Sequence, residues 1–81
     1  MTKKQARIRK WAMQMMDAYY VLGDVENIDE VEDAKKNYKR CLNNLSYNTG
    51  KDKDLLEWAL LTKRSGGAYN LDWLRGLGMD I

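Results

Sequence analysis

Carboxylates are the only residues of this sequence spaced so that two could share acid–base chemistry. The chain has no histidine and one cysteine, Cys41, so the commonest general base and metal ligand and any multi-cysteine site are missing. Glu30 with Asp33 and Asp54 with Glu57 have helical spacing, but capping and the helix dipole already account for acids in first turns. Cys41 lies on a predicted apolar stripe with no histidine to activate it. We therefore expect no catalytic residue, metal ligand or cofactor.

Charge is segregated along the first 33 residues, although the net charge is only +2. Five cations open the chain without an acid: Lys3, Lys4, Arg7, Arg9 and Lys10. Residues 17–33 then carry seven acids and no base. Blocks of this kind can pair within the chain, pair between subunits, or present one sign to a partner. Cations oppose the dipole at the start of a helix, so local stability does not explain the basic block.

Two interpretations of the basic block remain open. It can be a solvated face that keeps the protein soluble, or it can bind a phosphate backbone or an acidic protein surface. If nucleic acid is the ligand, Lys3, Arg7 and Lys10 are the residues expected to bind it.

Tryptophan and tyrosine supply all eight aromatic side chains, a bias that suits interfaces better than a dry core. Four of them fall on predicted core stripes: Trp11, Tyr19, Tyr38 and Trp58. The other four are equally consistent with packing in the core and with contact to a partner: Tyr20, Tyr47, Tyr69 and Trp73. On the first helix, Met13 projects beside Arg9 and Tyr20, away from the core stripe. The predicted partner-binding surface consists of Arg9, Met13, Tyr20, Tyr69 and Trp73.

Capping and turn signals divide the first half of the chain into two helices. Thr2 and Gln5 have capping-box spacing, and Gly23 sits where a left-handed cap would stop a helix, which predicts a first helix over residues 3–22. A second helix is predicted to begin with a cap at Asn27 (paired with Glu30) or at Asp29 (paired with Glu32) and to run to about Leu45. Residues 43–52, rich in Asn, Ser, Thr and Gly, are predicted to form the following loop.

The second half predicts two more helices. Asp54 with Glu57 caps a third helix that ends at Lys63 and Arg64, with residues 65–67 terminating it. Its apolar residues surround nearly the whole circumference, which predicts a central position in the bundle or burial in an oligomer. Asn70 is expected to cap a last short helix, after which two glycines leave residues 79–81 as an apolar tail.

These signals predict one all-α domain over residues 1–81, a small bundle of three main helices plus a short C-terminal helix. The predicted core is Trp11, Met15, Tyr19, Val31, Tyr38, Leu42, Leu55, Trp58, Ala59 and Leu74. No stretch has the length of a membrane span, and a lone cysteine favours the reducing cytoplasm.

Such a chain is expected to act as a non-enzymatic protein-binding regulator or inhibitor, a class common among phage and mobile-element proteins. Two alternatives remain: a nucleic-acid-binding protein that uses the basic first helix, and a self-assembling component in which the third helix and the tail form a homodimer interface.

Overall fold

The computed structural model describes residues 2–23, 28–64 and 70–81, and it confirms the all-α bundle. Its four helices are α1 (Lys3–Leu22), α2 (Ile28–Thr49), α3 (Lys53–Lys63) and α4 (Asp72–Arg75). The described ranges contain no strand. None of the helices found there is both long enough and apolar enough to cross a membrane.

The core lies between the antiparallel α1–α2 pair and the elements that follow it. Trp11 and Gln14 of α1 approach Arg40 and Cys41 of α2. Further along α1, residues 17–21 line a groove with residues 30–34 of α2, so the two helices run antiparallel. Four of the predicted core residues are buried: Met15, Leu42, Ala59 and Leu74. Trp11, Tyr19 and Tyr38 are half-buried against the same cluster, and Val31 is also half-buried.

Helix α1 begins and ends where the sequence predicts. Thr2 Oγ1 accepts a hydrogen bond from the Gln5 amide at 3.1 Å, and Gln5 Oε1 accepts one from the Thr2 amide at 2.8 Å, which completes the predicted capping box. At the other end, Gly23 donates its amide to the Tyr20 carbonyl but has a φ of −84°. The left-handed conformation expected at Gly23 is therefore wrong.

Helix α2 continues one turn beyond its predicted end, so the loop predicted over residues 43–52 is confined to residues 50–52. Asn48 Nδ2 donates to the Asn44 carbonyl at 2.7 Å, and Thr49 Oγ1 donates to the Leu45 carbonyl at 2.8 Å. These polar side chains bond the preceding turn instead of competing with the helix, while Leu45 is fully buried. The helix ends only at Gly50, which has a φ of +70° that favours glycine.

Two of the predicted cap residues, Asp29 and Asp54, lie inside their helices. Asp29 lies inside the first turn of α2, so it is not the N-cap, and Asn27 lies outside the described residues. Helix α3 starts at Lys53, with Asp52 at the N-cap position and Asp54 already in the first turn. Both predicted acids, Asp29 and Asp54, lie too far along for capping, although they still complement the positive end of the helix dipole. The end of α3 at Lys63 agrees with the prediction, while residues 65–67 lie outside the described ranges.

The C-terminal segment closes one side of the bundle. Asn70 Oδ1 accepts a hydrogen bond from the Asp72 amide at 2.9 Å, but Leu71 occupies the N-cap position of α4, so the predicted cap lies one residue too early. Gly78, with a φ of +86°, turns the chain so that Met79 and Ile81 pack against the core. Gln5 Nε2 also donates to the Asp80 carbonyl at 2.8 Å. Met79 and Ile81 are thereby half-buried within the monomer, and their use in a homodimer interface stays a prediction.

Candidate protein-binding surfaces

Trp73 does not belong to a partner-binding surface, because its side chain is 0% exposed. Its indole Nε1–H donates to Met16 Sδ at 3.2 Å in the core. The sequence prediction failed here because a short helix after a glycine-rich segment gives no apolar stripe that separates buried from exposed positions. Tyr69, the other predicted member from this segment, lies outside the described residues.

The α1 members of the predicted surface remain accessible in part. Arg9 and Met13 are half-buried, and Met13 also packs against the core. Tyr20 is 48% exposed, and its ring meets Tyr19 edge to face with 6.4 Å between centroids. The Arg64 guanidinium lies 4.4 Å from the Tyr19 ring and 5.8 Å from the Tyr20 ring. Tyr20 therefore contacts the end of α3 as well as solvent.

Helix α3 carries the most concentrated exposed apolar surface of the described residues, which contradicts its predicted central position. It buries Leu56, Ala59 and Leu60 and leaves its other side uncovered. We refer to that other side as the α3 stripe, whose members and exposed fractions are Leu55 (38%), Trp58 (48%) and Leu61 (53%). The placement of Leu55 and Trp58 in the core is therefore wrong.

The reason for this error is physical. The sequence of a helix that is apolar all round does not indicate which side its neighbours cover. In the described part of the chain, α3 makes its main contacts with α2 and α4. Two exposed polar residues, Asp54 and Thr62, are the neighbours of Leu55 and Leu61 along the helix. Lys63 Nζ lies 4.7 Å from the Trp58 ring centroid, a cation–π contact that leaves much of the stripe open to solvent.

The predicted nucleic-acid residues are exposed on α1, and the structure adds one further cation. Lys3, Arg7 and Lys10 are all exposed. Lys10 Nζ lies 5.2 Å from the centroid of the Trp11 ring, and the Arg40 guanidinium lies 5.9 Å from the same ring. The sequence could not place Arg40 here, because it belongs to α2 and the register between the helices was unknown.

A groove of about 370 Å³ runs between α1 and α2. Three carboxylates line it, Asp17, Glu30 and Asp33, together with Arg40 and Cys41. The Cys41 side chain is buried, and its Sγ lies 3.9 Å from Gln14 Oε1. Burial raises the pKa of the Cys41 thiol above its ordinary value, although nearby Arg40 acts in the opposite direction.

The only thiol of the chain is buried at the groove. A neutral, buried thiol is a poor nucleophile, and no histidine exists in the chain to activate it. Within the described residues, no cluster of three or more His, Cys, Asp or Glu side chains could hold a metal ion. The exposed charges that line the groove are the three carboxylates and Arg40.

The two members of the second carboxylate pair, Asp54 and Glu57, lie in different surroundings. Glu57 accepts a hydrogen bond from the Tyr38 hydroxyl, whereas Asp54 is exposed in the first turn of α3. Burial raises the pKa of Tyr38 to about 12, with further contributions from the Glu57 charge, from Tyr19 and from the hydrogen bond to Glu57. Tyr38 and Glu57 thus link α2 to α3 and have a structural role.

Comparisons with known protein families, with curated proteins and with solved structures gave no match for this chain. The α3 stripe, the basic end of α1 and the groove between α1 and α2 are thus the features from which a function can be inferred.

Proposed function

We propose that this protein is a non-enzymatic binding module that occupies a surface of a protein partner through the α3 stripe. The observation that supports the proposal is the exposure of Leu55, Trp58 and Leu61 on one side of a helix whose opposite side is buried. Exposed apolar surface grouped in this way is typical of interaction sites. A regulator or inhibitor in the cytoplasm, where Cys41 stays reduced, fits this mode of action.

The composition of the stripe fits a contact in which a helix lies in an apolar groove of the partner. Three-residue spacing along one helix side is the pattern that such grooves accept, and tryptophan is enriched among the residues that dominate binding energy. Fully burying a large apolar side chain is favourable by about 1.5–3 kcal/mol. Covering the exposed fractions of 38%, 48% and 53% would therefore contribute on the order of 3 kcal/mol, roughly a hundredfold in affinity.

Replacing a leucine of the α3 stripe by a charged residue tests the proposal. We expect Leu61→Asp to abolish the capture of a protein partner from lysate of cells that express the chain, because an aspartate cannot enter an apolar groove without losing its hydration. Tyr47→Asp is the matched control, since Tyr47 is 88% exposed on α2 and receives the same charge. Circular dichroism should show unchanged helicity for both variants. Equal capture by Leu61→Asp and the wild type would contradict the proposal.

A second candidate function, nucleic-acid binding, is favoured by the position of Arg40. Its guanidinium shares the Trp11 ring with Lys10, which enlarges the basic area that Lys3 and Arg7 begin on α1. Binding of this kind would weaken steeply with salt, because each neutralised phosphate releases counterions. Electrophoretic mobility shifts with DNA and RNA would test it. Charge reversal of Lys3, Arg7 and Lys10 should remove the shift, and the absence of a shift at low salt would exclude this function.

A further inference from the structure

The exposed face of the α1–α2 pair changes its sign of charge along its length. At one end, Lys10 and Arg40 lie over the Trp11 ring. At the other end, acidic side chains from both helices line the groove. Gln14 lies between the two ends, because it lines both the groove and a neighbouring depression of about 400 Å³ formed by the basic part of α1. We refer to this area as the hairpin face and define it by Lys10, Gln14, Asp17, Glu30, Asp33 and Arg40.

The charged residues of the hairpin face do not neutralise one another. The ion pairs in the described part of the chain are Lys35 with Glu32 and Arg75 with Asp72, and neither involves a residue of this face. All five charged residues of the face are exposed. The basic and acidic residues of the hairpin face therefore do not pair with each other within the described chain. Both ends of the face remain available to a binding partner.

We propose that the hairpin face binds a second copy of the same chain, with the two α1 helices antiparallel about a two-fold axis beside Gln14. A two-fold interface places the same patch of both subunits in contact, so a patch with one basic and one acidic end is complementary to itself. A basic peptide would match only the acidic end and would meet like charge at Lys10 and Arg40. A second copy satisfies both ends at once.

The positions along α1 fit this symmetry. Residues 10 and 17 are equidistant from the midpoint between residues 13 and 14, and they lie about 10 Å apart along the helix axis. An axis at that midpoint brings Lys10 of each copy opposite Asp17 of the other, and the symmetry gives two such pairs. Met13, half-buried beside the axis, adds apolar contact area. This contribution matters because exposed ion pairs alone are weak.

Sedimentation equilibrium of the purified chain, from micromolar to millimolar concentrations at low salt, tests the proposal. We expect a reversible monomer–dimer equilibrium that weakens with added salt. Lys10→Glu and Asp17→Lys should each raise the dimer Kd by about tenfold or more, because each change turns two attractive contacts into repulsive ones. The double variant that combines both substitutions exchanges the two charges, so opposite charges face each other again, and its Kd should return close to the wild-type value.

Lys39→Glu is the control, because it changes the net charge by the same amount at an exposed position of α2 that does not line the groove. It should leave the dimer Kd unchanged. Leu61→Asp separates this interface from the α3 stripe and should also leave the Kd unchanged. A wild-type chain that is monomeric at every concentration would overturn the proposal. Failure of the double variant to recover, or dissociation caused by Lys39→Glu or Leu61→Asp, would overturn it as well.

Discussion

Replacing Trp73 by alanine should remove a large part of the free energy of unfolding, whereas replacing Trp58 should remove only a small part. Trp73 is the largest of the fully buried side chains and contacts α1 through the hydrogen bond from its indole to Met16. Truncating a buried tryptophan to alanine costs about 3–5 kcal/mol, because apolar contacts are lost and a cavity remains. At about 0.05–0.15 kcal/mol per residue, a chain of this length has a total stability of only about 4–12 kcal/mol.

Trp58 provides the comparison, because its side chain is 48% exposed on the α3 stripe. Removing its ring loses about half of the burial and creates no enclosed cavity, so we expect a loss of at most about 1.5 kcal/mol. Trp73→Phe should fall between the two alanine variants, since it keeps an aromatic ring but removes the donor to the Met16 sulfur.

Urea denaturation followed by circular dichroism at 222 nm gives the free energy of unfolding of each variant without relying on tryptophan fluorescence. The expected order of stability is wild type, Trp58→Ala, Trp73→Phe and then Trp73→Ala. If Trp73→Ala lost less than about 1.5 kcal/mol, or lost no more than Trp58→Ala, the assignment of Trp73 to the core and Trp58 to the surface would be refuted.

Three further predictions follow from local contacts. Thr2→Ala should lower the free energy of unfolding by about 0.5–2 kcal/mol in urea titrations, because the capping box with Gln5 is lost, and no change would contradict that cap. Cys41, buried and with a raised pKa, should react with a thiol reagent far more slowly in the folded protein than in urea, and equal rates would contradict its burial. Folding raises the pKa of Tyr38 from its ordinary value of 10.0 to about 12. The contribution of the neutral tyrosine to stability is therefore fully present below pH 10.0 and is lost as the pH rises through about 12. The stability difference between wild type and Tyr38→Phe should therefore shrink over that pH range in urea titrations, and a constant difference would argue against this linkage.

The sequence predicts those elements whose signals are local. The Thr2 capping box marks the start of α1, and Asn70 marks the turn into α4, because each signal depends only on residues within one helical turn. The end of α2 could not be predicted in the same way. Asn48 and Thr49 are residue types that favour loops, but here their side chains bond the preceding turn, and Leu45 in that turn is buried in the core.

The candidate surfaces depend on contacts that the sequence does not encode locally. Trp58 and Trp73 both lie among leucines, and which of them is buried depends on how α3 and α4 dock onto the first two helices. The position of Arg40 over Trp11 likewise requires the register between α1 and α2. Periodicity identifies the apolar side of each helix, but it does not show which apolar side remains uncovered once the bundle has closed.

Site-specific photo-crosslinking tests most directly whether the α3 stripe is the contact with a protein partner. A photoreactive amino acid at position 61, within the stripe, is compared with the same amino acid at position 47, which is even more exposed on α2. In lysate of cells that express the chain, we expect position 61 to form a discrete adduct with one protein, and position 47 to form none. The Trp58→Ala substitution should reduce the yield of the adduct at position 61. Adducts at position 47 alone, or an adduct at position 61 that Trp58→Ala leaves unchanged, would contradict the proposed role of the stripe.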